Sequence, residues 1–454
     1  MSTVAAISTP LAAGGIGMIR ISGENAINIA AQCFRPVSGK AVSDMRGYTA
    51  AYGTFYDEAG EIDDGVLLVY RAPKSYTGEN VAELSCHGGI FLLQKVLRRV
   101  LQLGAETAAP GEFTKRAFLN GKMDLSQAES VMNLISAQGE QALSAARATL
   151  RGAVSREADA VCRTLIEADA ALAAWADYPD EDIPAVENKS LEATLSDCRQ
   201  RLQTLIGAYD RGKAVTAGVN TVICGKPNVG KSTLMNLLSG CERSIVTPVA
   251  GTTRDVVEET VRVGNILLHL SDTAGIRQTN DTVEKIGVQR AKEKADDAAL
   301  ILLVLDASRP LDEEDRAMLA DTAGKRRIAI LNKSDLPAAL SPDDLKAEVD
   351  RCLVISARHS EEALPVLQEA LEEVLGTAGL DFNQTLLASE RQRDCCENAL
   401  QSVTRALKAL DAGMTVDAVT VDIDCAVEAL LTLTGQRAGE AVVNAVFEKF
   451  CVGK

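Results

Sequence analysis

The sequence predicts a multidomain protein of mixed α+β and α/β class, in which an α/β domain is inserted into a helical domain that follows an N-terminal α+β domain. Three textures along the chain predict it. Short alternating apolar runs separated by glycine-rich turns fill residues 1 to about 118. Helical periodicity without strand signals occupies about 119–216 and returns after 378. Between them, 217–377 alternates apolar strands with helices. Two helical blocks flanking an α/β block suggest an insertion, which is cheap because domain termini often lie close together. The expected boundaries are therefore 1–118, 119–216, 217–377 and 378–454.

Within the first block, Met18–Ile21, Val66–Tyr70 and Val81–Leu84 read as strands. In the second, Leu150, Val154, Val161, Leu165 and Leu172 recur at helical spacing and predict one long amphipathic helix. The acidic run Asp177–Asp182 would end it. In the third, strands are expected at Thr221–Cys224, Val256–Val263, Ile266–Ser271, Ala299–Asp306, Arg327–Leu331 and Cys352–Ser356, giving a doubly wound and mostly parallel sheet. In the last, Leu400, Val403, Leu407 and Leu410 share a helix face.

The 454 residues suffice for two to four domains with cores of their own. Apolar content of 46% with 24% charged residues is that of an ordinary globular chain. No apolar run is long enough to span a bilayer, and Met1–Leu11 lacks a basic region before an apolar stretch, so neither a membrane span nor a signal peptide is expected. Eleven cysteines, an odd number without a C-x-x-C pair, fit free thiols in a reducing cytoplasm and argue against structural zinc. The net charge of −16 excludes a broadly basic nucleic-acid surface. A local patch remains open: Lys95, Arg98, Arg99, Lys115, Arg116 and Lys122 are set against Glu106 and Glu112.

The chemistry begins at Gly225–Ser232, which follows an apolar strand and opens a helix. Glycines there let backbone N–H groups converge on phosphates at the positive end of the helix. Asn228, Val229, Gly230, Lys231, Ser232 and Thr233 would line that cradle, with Lys231 reaching the β- and γ-phosphates and Ser232 supplying a hydroxyl to Mg²⁺. Asp272, Thr273, Ala274 and Gly275 close the next parallel strand, placing a carboxylate toward the metal. Asn332, Lys333 and Asp335 end a later strand, where the carboxylate can accept two hydrogen bonds from guanine. Adenine lacks that donor pair, so GTP is preferred. Ser356, Ala357 and Arg358 would bring a backbone N–H to the guanine oxygen. These elements in this order specify a Ras-like P-loop GTPase domain.

The run Thr247, Pro248, Val249, Ala250, Gly251, Thr252, Thr253 lies where GTPases keep a loop that orders around the γ-phosphate, and Thr253 is the natural second hydroxyl for Mg²⁺. Arg254 directly follows it, which disfavours its reading as an arginine finger in cis. After Gly275 stands Ile276, which cannot hydrogen-bond the attacking water as a glutamine would, so another polar group must orient it.

These residues are similar to those of potassium-activated GTPases. Nearly the whole chain resembles the bacterial MnmE/TrmE family of tRNA uridine-modifying GTPases. The stretches that carry the likeness are Gly14–Gly17, Ile19–Gly23, Ser75–Glu79, His87–Gly89, Pro110–Thr114, Ala117–Lys122, Asp124–Leu125 and Cys451–Lys454. The resemblance implies K⁺ at Asn228 and at the carbonyls of Thr247, Val249 and Thr252, with Glu284 as the catalytic acid that orients water and Lys231 and Asp272 acting beside it. It implies a homodimer, a folate-binding N-terminal domain, and a 5,10-methylene- or 5-formyl-tetrahydrofolate held by Arg20, Glu83, Lys122 and Lys454. An FAD-containing partner would complete a heterotetramer acting on tRNA in the cytoplasm. Cys451 would line the folate site. One departure is that Leu11-Ala12-Ala13 stands where the family often has Pro-Gly-Arg, which removes a cation. The competing reading is a ribosome-assembly or septation switch, which would need no folate pocket. Of the histidines, His269 in a strand reads as structural, His359 as a loop residue, and His87 as support for the Gly88–Gly89 turn.

Overall fold

A computed structural model describes residues 1–177, 188–216, 218–240, 259–272, 298–378 and 386–454. The chain divides into two compact units, one formed by 1–132, 150–199 and 394–454, the other by 133–149 and 200–393.

The first unit begins with β1 (Val4–Ile7), β2 (Gly14–Ser22), α1 (Ala26–Ala31), β3 (Phe34–Pro36), β4 (Thr49–Asp57), β5 (Gly60–Tyr70), β6 (Val81–Gly88), α2 (Ile90–Gln102), β7 (Glu106–Thr107) and α3 (Glu112–Leu119). Its seven strands form one sheet in the order β3-β4-β5-β6-β2-β1-β7. Strand alternation sorts the side chains. Ile19, Ile21, Leu67, Val69 and Leu84 are fully buried in a core shared with α1 and α2. The other face carries Arg20, Glu83, Ile16, Tyr52 and Val66, of which Ile16, Tyr52 and Val66 are exposed.

Helices follow: α4 (Leu125–Ser136), α5 (Glu140–Leu150), α6 (Ala153–Asp177) and α7 (Asn188–Thr216). The single helix expected from Leu150 onward is broken. Gly152 adopts φ +78°, which a continuous right-handed helix cannot contain, so Leu150 ends α5 and the remaining stripe lies on α6. The acidic run starts as α6 ends at Asp177, and its remainder lies outside the described residues.

The second unit contains β8 (Val219–Cys224), α8 (Lys231–Ser239), β9 (Glu259–Val263), β10 (Ile266–Asp272), β11 (Leu300–Asp306), α9 (Glu313–Asp321), β12 (Arg327–Asn332), β13 (Arg351–Val354) and α10 (Ser360–Val374). The sheet order is β13-β12-β11-β8-β10-β9. Every pairing is parallel except that of the edge strand β9 with β10. Residues 256–258 of the expected strand lie outside the described residues. Because both faces are covered, β11 is apolar from Leu300 to Leu305. Leu300, Leu302 and Val304 join the core on one face, while Ile301, Leu303 and Leu305 join that on the other. The chain then forms α11 (Glu390–Asp411), α12 (Val416–Thr434) and α13 (Glu440–Phe447). No helix among the described residues is long and apolar enough to cross a membrane.

Candidate functional site

Five parallel strands align their carboxyl ends in the second unit, and the loops leaving that edge hold the expected nucleotide residues. This is where doubly wound sheets place ligands. The loop after β8 reverses direction through Gly225 (φ +152°), Asn228 (φ +64°) and Gly230 (φ +106°). A β-carbon at Gly225 would strike the Val304 carbonyl, and one at Gly230 would strike the Asn332 amide. Asn228 takes the left-handed conformation that its short polar side chain tolerates better than most. Lys231 opens α8 and folds back, its ammonium donating to the carbonyls of Gly225 (2.6 Å) and Lys226 (2.8 Å). Ser232 is exposed beside it, while Thr233 is half-buried and Val229 buried.

The Asn332–Asp335 segment, where base recognition was expected, is tied directly to this loop. Asn332 is buried; its amide donates to the Val229 carbonyl at 2.9 Å and its Oδ1 accepts the Ala357 N–H at 2.9 Å. Asp335 stays exposed and accepts the Ser356 hydroxyl at 2.9 Å, which, with its own backbone N–H and the nearby Arg358 guanidinium, holds its carboxyl below the ordinary value. Lys333, at φ +67°, sends its ammonium 2.7 Å from Asp306. Burial pushes the Asp306 carboxyl up, but Lys333 and Ser308 outweigh it and hold it at about 2. Asn228 through Thr233, Asn332, Lys333, Asp335, Ser356, Ala357 and Arg358 thus share one edge. The backbone of Asp272 reaches that edge in register with Ile223. Thr247, Pro248, Val249, Ala250, Gly251, Thr252, Thr253, Thr273, Ala274, Gly275 and Glu284 lie outside the described residues, as does the side chain of Asp272.

The first unit gathers the second group. Arg20 and Glu83 face each other across β2 and β6, with Arg20 Nε and Nη2 at 2.9 and 2.8 Å from Glu83 Oε1. Each side chain is 14% exposed. The guanidinium lies 5.8 Å from the Tyr76 ring and 5.5 Å from the Phe113 ring. Burial and the neighbouring Glu83 carboxylate raise the Tyr70 phenol's pKa. The Tyr76 hydroxyl is 2.9 Å from that of Thr114, and Lys122 donates to the Pro73 carbonyl at 3.2 Å. Phe113 N–H donates to the Lys454 carbonyl at 3.1 Å and Gly111 N–H to that of Cys451 at 3.3 Å. Residues 20, 83, 122 and the 451–454 segment are therefore linked through Tyr76, Phe113 and the 73–79 loop. Sequence reasoning assigned no role to Tyr76 or Phe113, although both stand in the stretches that carried the resemblance.

Arg116, read from the sequence only as one cation of a local patch, has a structural place. It is nearly buried and bonded to Glu112 (2.9 Å), Glu79 (3.1 Å) and the Ser2 carbonyl (2.7 Å). Its i,i+4 relation to Glu112 was the available signal. Its contacts narrow the basic patch that the sequence left open. Lys95 pairs with Asp57 and Arg99 with Glu58, while Lys115 donates to Asn444, so these cations are spent inside the unit and Arg98 remains exposed. His87, penultimate in β6, meets Asp63 at 2.9 Å, and His269 meets Thr260 at 3.1 Å within its sheet.

Two family models match, and together they span the chain: the GTP-binding protein TrmE N-terminus over residues 3–122 and the MnmE helical domain over 125–451. The tRNA modification GTPase MnmE of Acetivibrio thermocellus is 38% identical over 100% of this chain and 99% of its own length. That of Clostridioides difficile is 39% identical with the same coverage. The chain belongs to the MnmE family of tRNA modification GTPases. Membership of this family makes it a GTP hydrolase. Among solved structures, Aquifex aeolicus Era bound to GDP·AlF4⁻ overlaps 40% of this chain and 66% of that one, at 25% identity and a TM-score of 0.27. That likeness is too slight to add to the family assignment.

Proposed function

We propose that this MnmE-family chain is a K⁺-dependent GTPase that, with an FAD-containing partner, installs the carboxymethylaminomethyl or aminomethyl group at C5 of the wobble uridine 34 of certain tRNAs. A tetrahydrofolate one-carbon unit supplies the added methylene. The observation that carries this reading is the meeting, in one unit, of Arg20, Glu83, Lys122 and the Lys454 segment around Tyr76 and Phe113. A carboxylate only 14% exposed, bonded to a guanidinium that itself lies against two aromatic rings, suits the polar edge of a flat heterocycle. Glu83 would pair with the amine and ring N–H of a pterin, and the cations would face the glutamate tail of 5,10-methylene- or 5-formyl-tetrahydrofolate. A ribosome-assembly or septation switch has no use for such a cluster.

At the other site, Lys231 binds the β- and γ-phosphates, Asp335 selects guanine, and Ser232 and Thr253 hold Mg²⁺ with Asp272 facing it. Asn228, with the carbonyls of Thr247, Val249 and Thr252, holds K⁺, and Glu284 orients the attacking water. When bound, K⁺ supplies the positive charge that an arginine finger supplies elsewhere. The left-handed backbone at Asn228 and the exposed hydroxyl of Ser232 are compatible with those roles. Tyr52 and Val66, exposed and opposite each other on β4 and β5, with Ile16 exposed on the same face, are compatible with a homodimer. Titration calorimetry with 5-formyl-tetrahydrofolate, together with mass spectrometry of wobble nucleosides from cells lacking the protein, tests the reading. Absence of folate binding alongside unchanged uridine-34 modification would sink it.

A further inference from the structure

The connection from β11 to α9 touches both nucleotide-binding loops through groups to which the reading above gives no role. Lys226, second residue of the phosphate loop, places its ammonium against the carboxylates of Asp312 and Asp315, the latter at 2.8 Å. Both acids are fixed independently of the lysine. Asp312 is the N-cap of α9, its Oδ1 accepting the Glu314 and Asp315 N–H groups at 3.1 Å each. Asp315 returns a carboxylate oxygen to the Asp312 N–H at 3.3 Å, and its side chain is 8% exposed. At the other end of the same connection, Asp306 accepts Lys333 at 2.7 Å and the Ser308 hydroxyl at 2.6 Å. The Ala307 N–H donates to the Asn332 carbonyl at 2.9 Å. Residues 306–315 therefore hold the phosphate loop at Lys226 and the base loop at Asn332 and Lys333.

A surface ion pair usually contributes little. This one is distinguished by where its backbone leads. The Lys226 carbonyl is one of the two that receive the Lys231 ammonium. Anchoring the Lys226 side chain thus anchors the peptide against which Lys231 rests before phosphate arrives.

We propose that Lys226 is a positioning residue for GTP hydrolysis, and that Asp312 and Asp315 hold the phosphate loop through it in the shape that receives nucleotide. The inference rests on the nucleotide site proposed above. A loop ordered in advance loses less conformational freedom on binding. Since Lys226 acts on the loop as a whole, GDP and GTP benefit alike.

The test measures dissociation constants of fluorescent GDP and a GTP analogue, with KM and kcat, on the full chain carrying K226M, K226R, D312N/D315N or K231A. K226M is expected to raise both dissociation constants about fivefold, as for a half-buried ion-pair network, with KM rising in step and kcat falling less. K226R should recover most of the loss. D312N/D315N keeps the cap's acceptor oxygens and should reproduce K226M at an unchanged melting temperature. The positioning role is overturned by wild-type affinity in K226M, by a loss that K226R does not rescue, or by a fall in kcat at constant affinity. Should K226M not fold, wild-type affinity in D312N/D315N overturns it equally. K231A separates the two levels: undiminished binding there removes the nucleotide site itself, whereas its loss beside a normal K226M removes Lys226's role alone.

Discussion

The nucleotide edge of the second unit and the Arg20–Glu83 cluster of the first are assembled by opposite routes. The nucleotide residues follow one another along the chain, each at the end of a strand whose neighbour is already fixed by the parallel sheet. Register alone delivers them: Asp272 opposite Ile223, Asn332 opposite Asp306. The Arg20–Glu83 cluster draws on residues 20, 76, 83, 113, 122 and 451–454, and a single pairing, Arg20 across from Glu83, is set by a strand ladder. The rest depends on the placing of loops by buried polar bonds such as Arg116 to Glu79 and Asn120 to the Thr77 carbonyl at 2.7 Å. A site built on register should lose function when one ligand-facing group is removed, and stability elsewhere should be untouched. A site built on tethers should be vulnerable at residues that never meet the ligand.

The sharpest separation comes from paired losses. Lys231→Ala should lower GTP turnover by about a thousandfold, on the scale of removing one charge-stabilising donor, while calorimetry still records folate binding at wild-type affinity. A parallel loss at both sites would show that they are one cooperative system. In the reverse direction, Glu83→Gln should weaken 5-formyl-tetrahydrofolate binding by about a hundredfold, for a lost charge-assisted contact, and leave GTP turnover unchanged. The tethered character is tested by Arg116→Met. Removing that guanidinium leaves Glu79 and Glu112 partly buried without their shared cation, and urea unfolding of the chain should show a loss of about 3 kcal/mol together with weaker folate binding. A melt equal to wild type would mean the tether is decorative. Replacing K⁺ by Na⁺ should cut GTP turnover about tenfold or more without touching folate affinity, and equal rates in both salts would remove the ion from the mechanism.

The smallest effect expected concerns thiols. Burial pushes Cys33 up to about 12 and Cys86, Cys224 and Cys352 to about 11, whereas Cys425 and Cys451 are exposed. At pH 8 the last two should be alkylated first in a mass-spectrometric time course, with Cys33, Cys86, Cys224 and Cys352 lagging because so little thiolate forms. Early modification of Cys224 would mean that the phosphate loop opens far more readily than its contacts indicate.

The same contrast explains what was legible in the sequence. Gly225, Gly230, Asn332 and Asp335 announce themselves because each answers a local demand: a reversed turn, a close approach, a carboxylate at a strand end. The parallel sheet was readable for a similar reason, since runs such as Leu300–Leu305 have apolar residues on both faces. Where an outcome depended on a partner far along the chain, composition left it open. Lys95, Arg99 and Arg116 look like a cationic surface until Asp57, Glu58 and Glu79 are brought to them by strand and loop packing. Likewise the stripe from Leu150 to Leu172 keeps helical spacing through Gly152, and periodicity is blind to a single residue of reversed handedness.

The first unit closes with residues 394–454, whereas the second is complete once residue 393 has been made. During synthesis the second unit can therefore mature while the first still lacks its last helices and the segment that bonds to Gly111 and Phe113. Since domains fold as units and long-range closure is slow, completion of the first unit waits for residues 394–454. Ribosome stalling downstream of residue 393 should yield nascent chains that already bind GTP but do not yet bind folate.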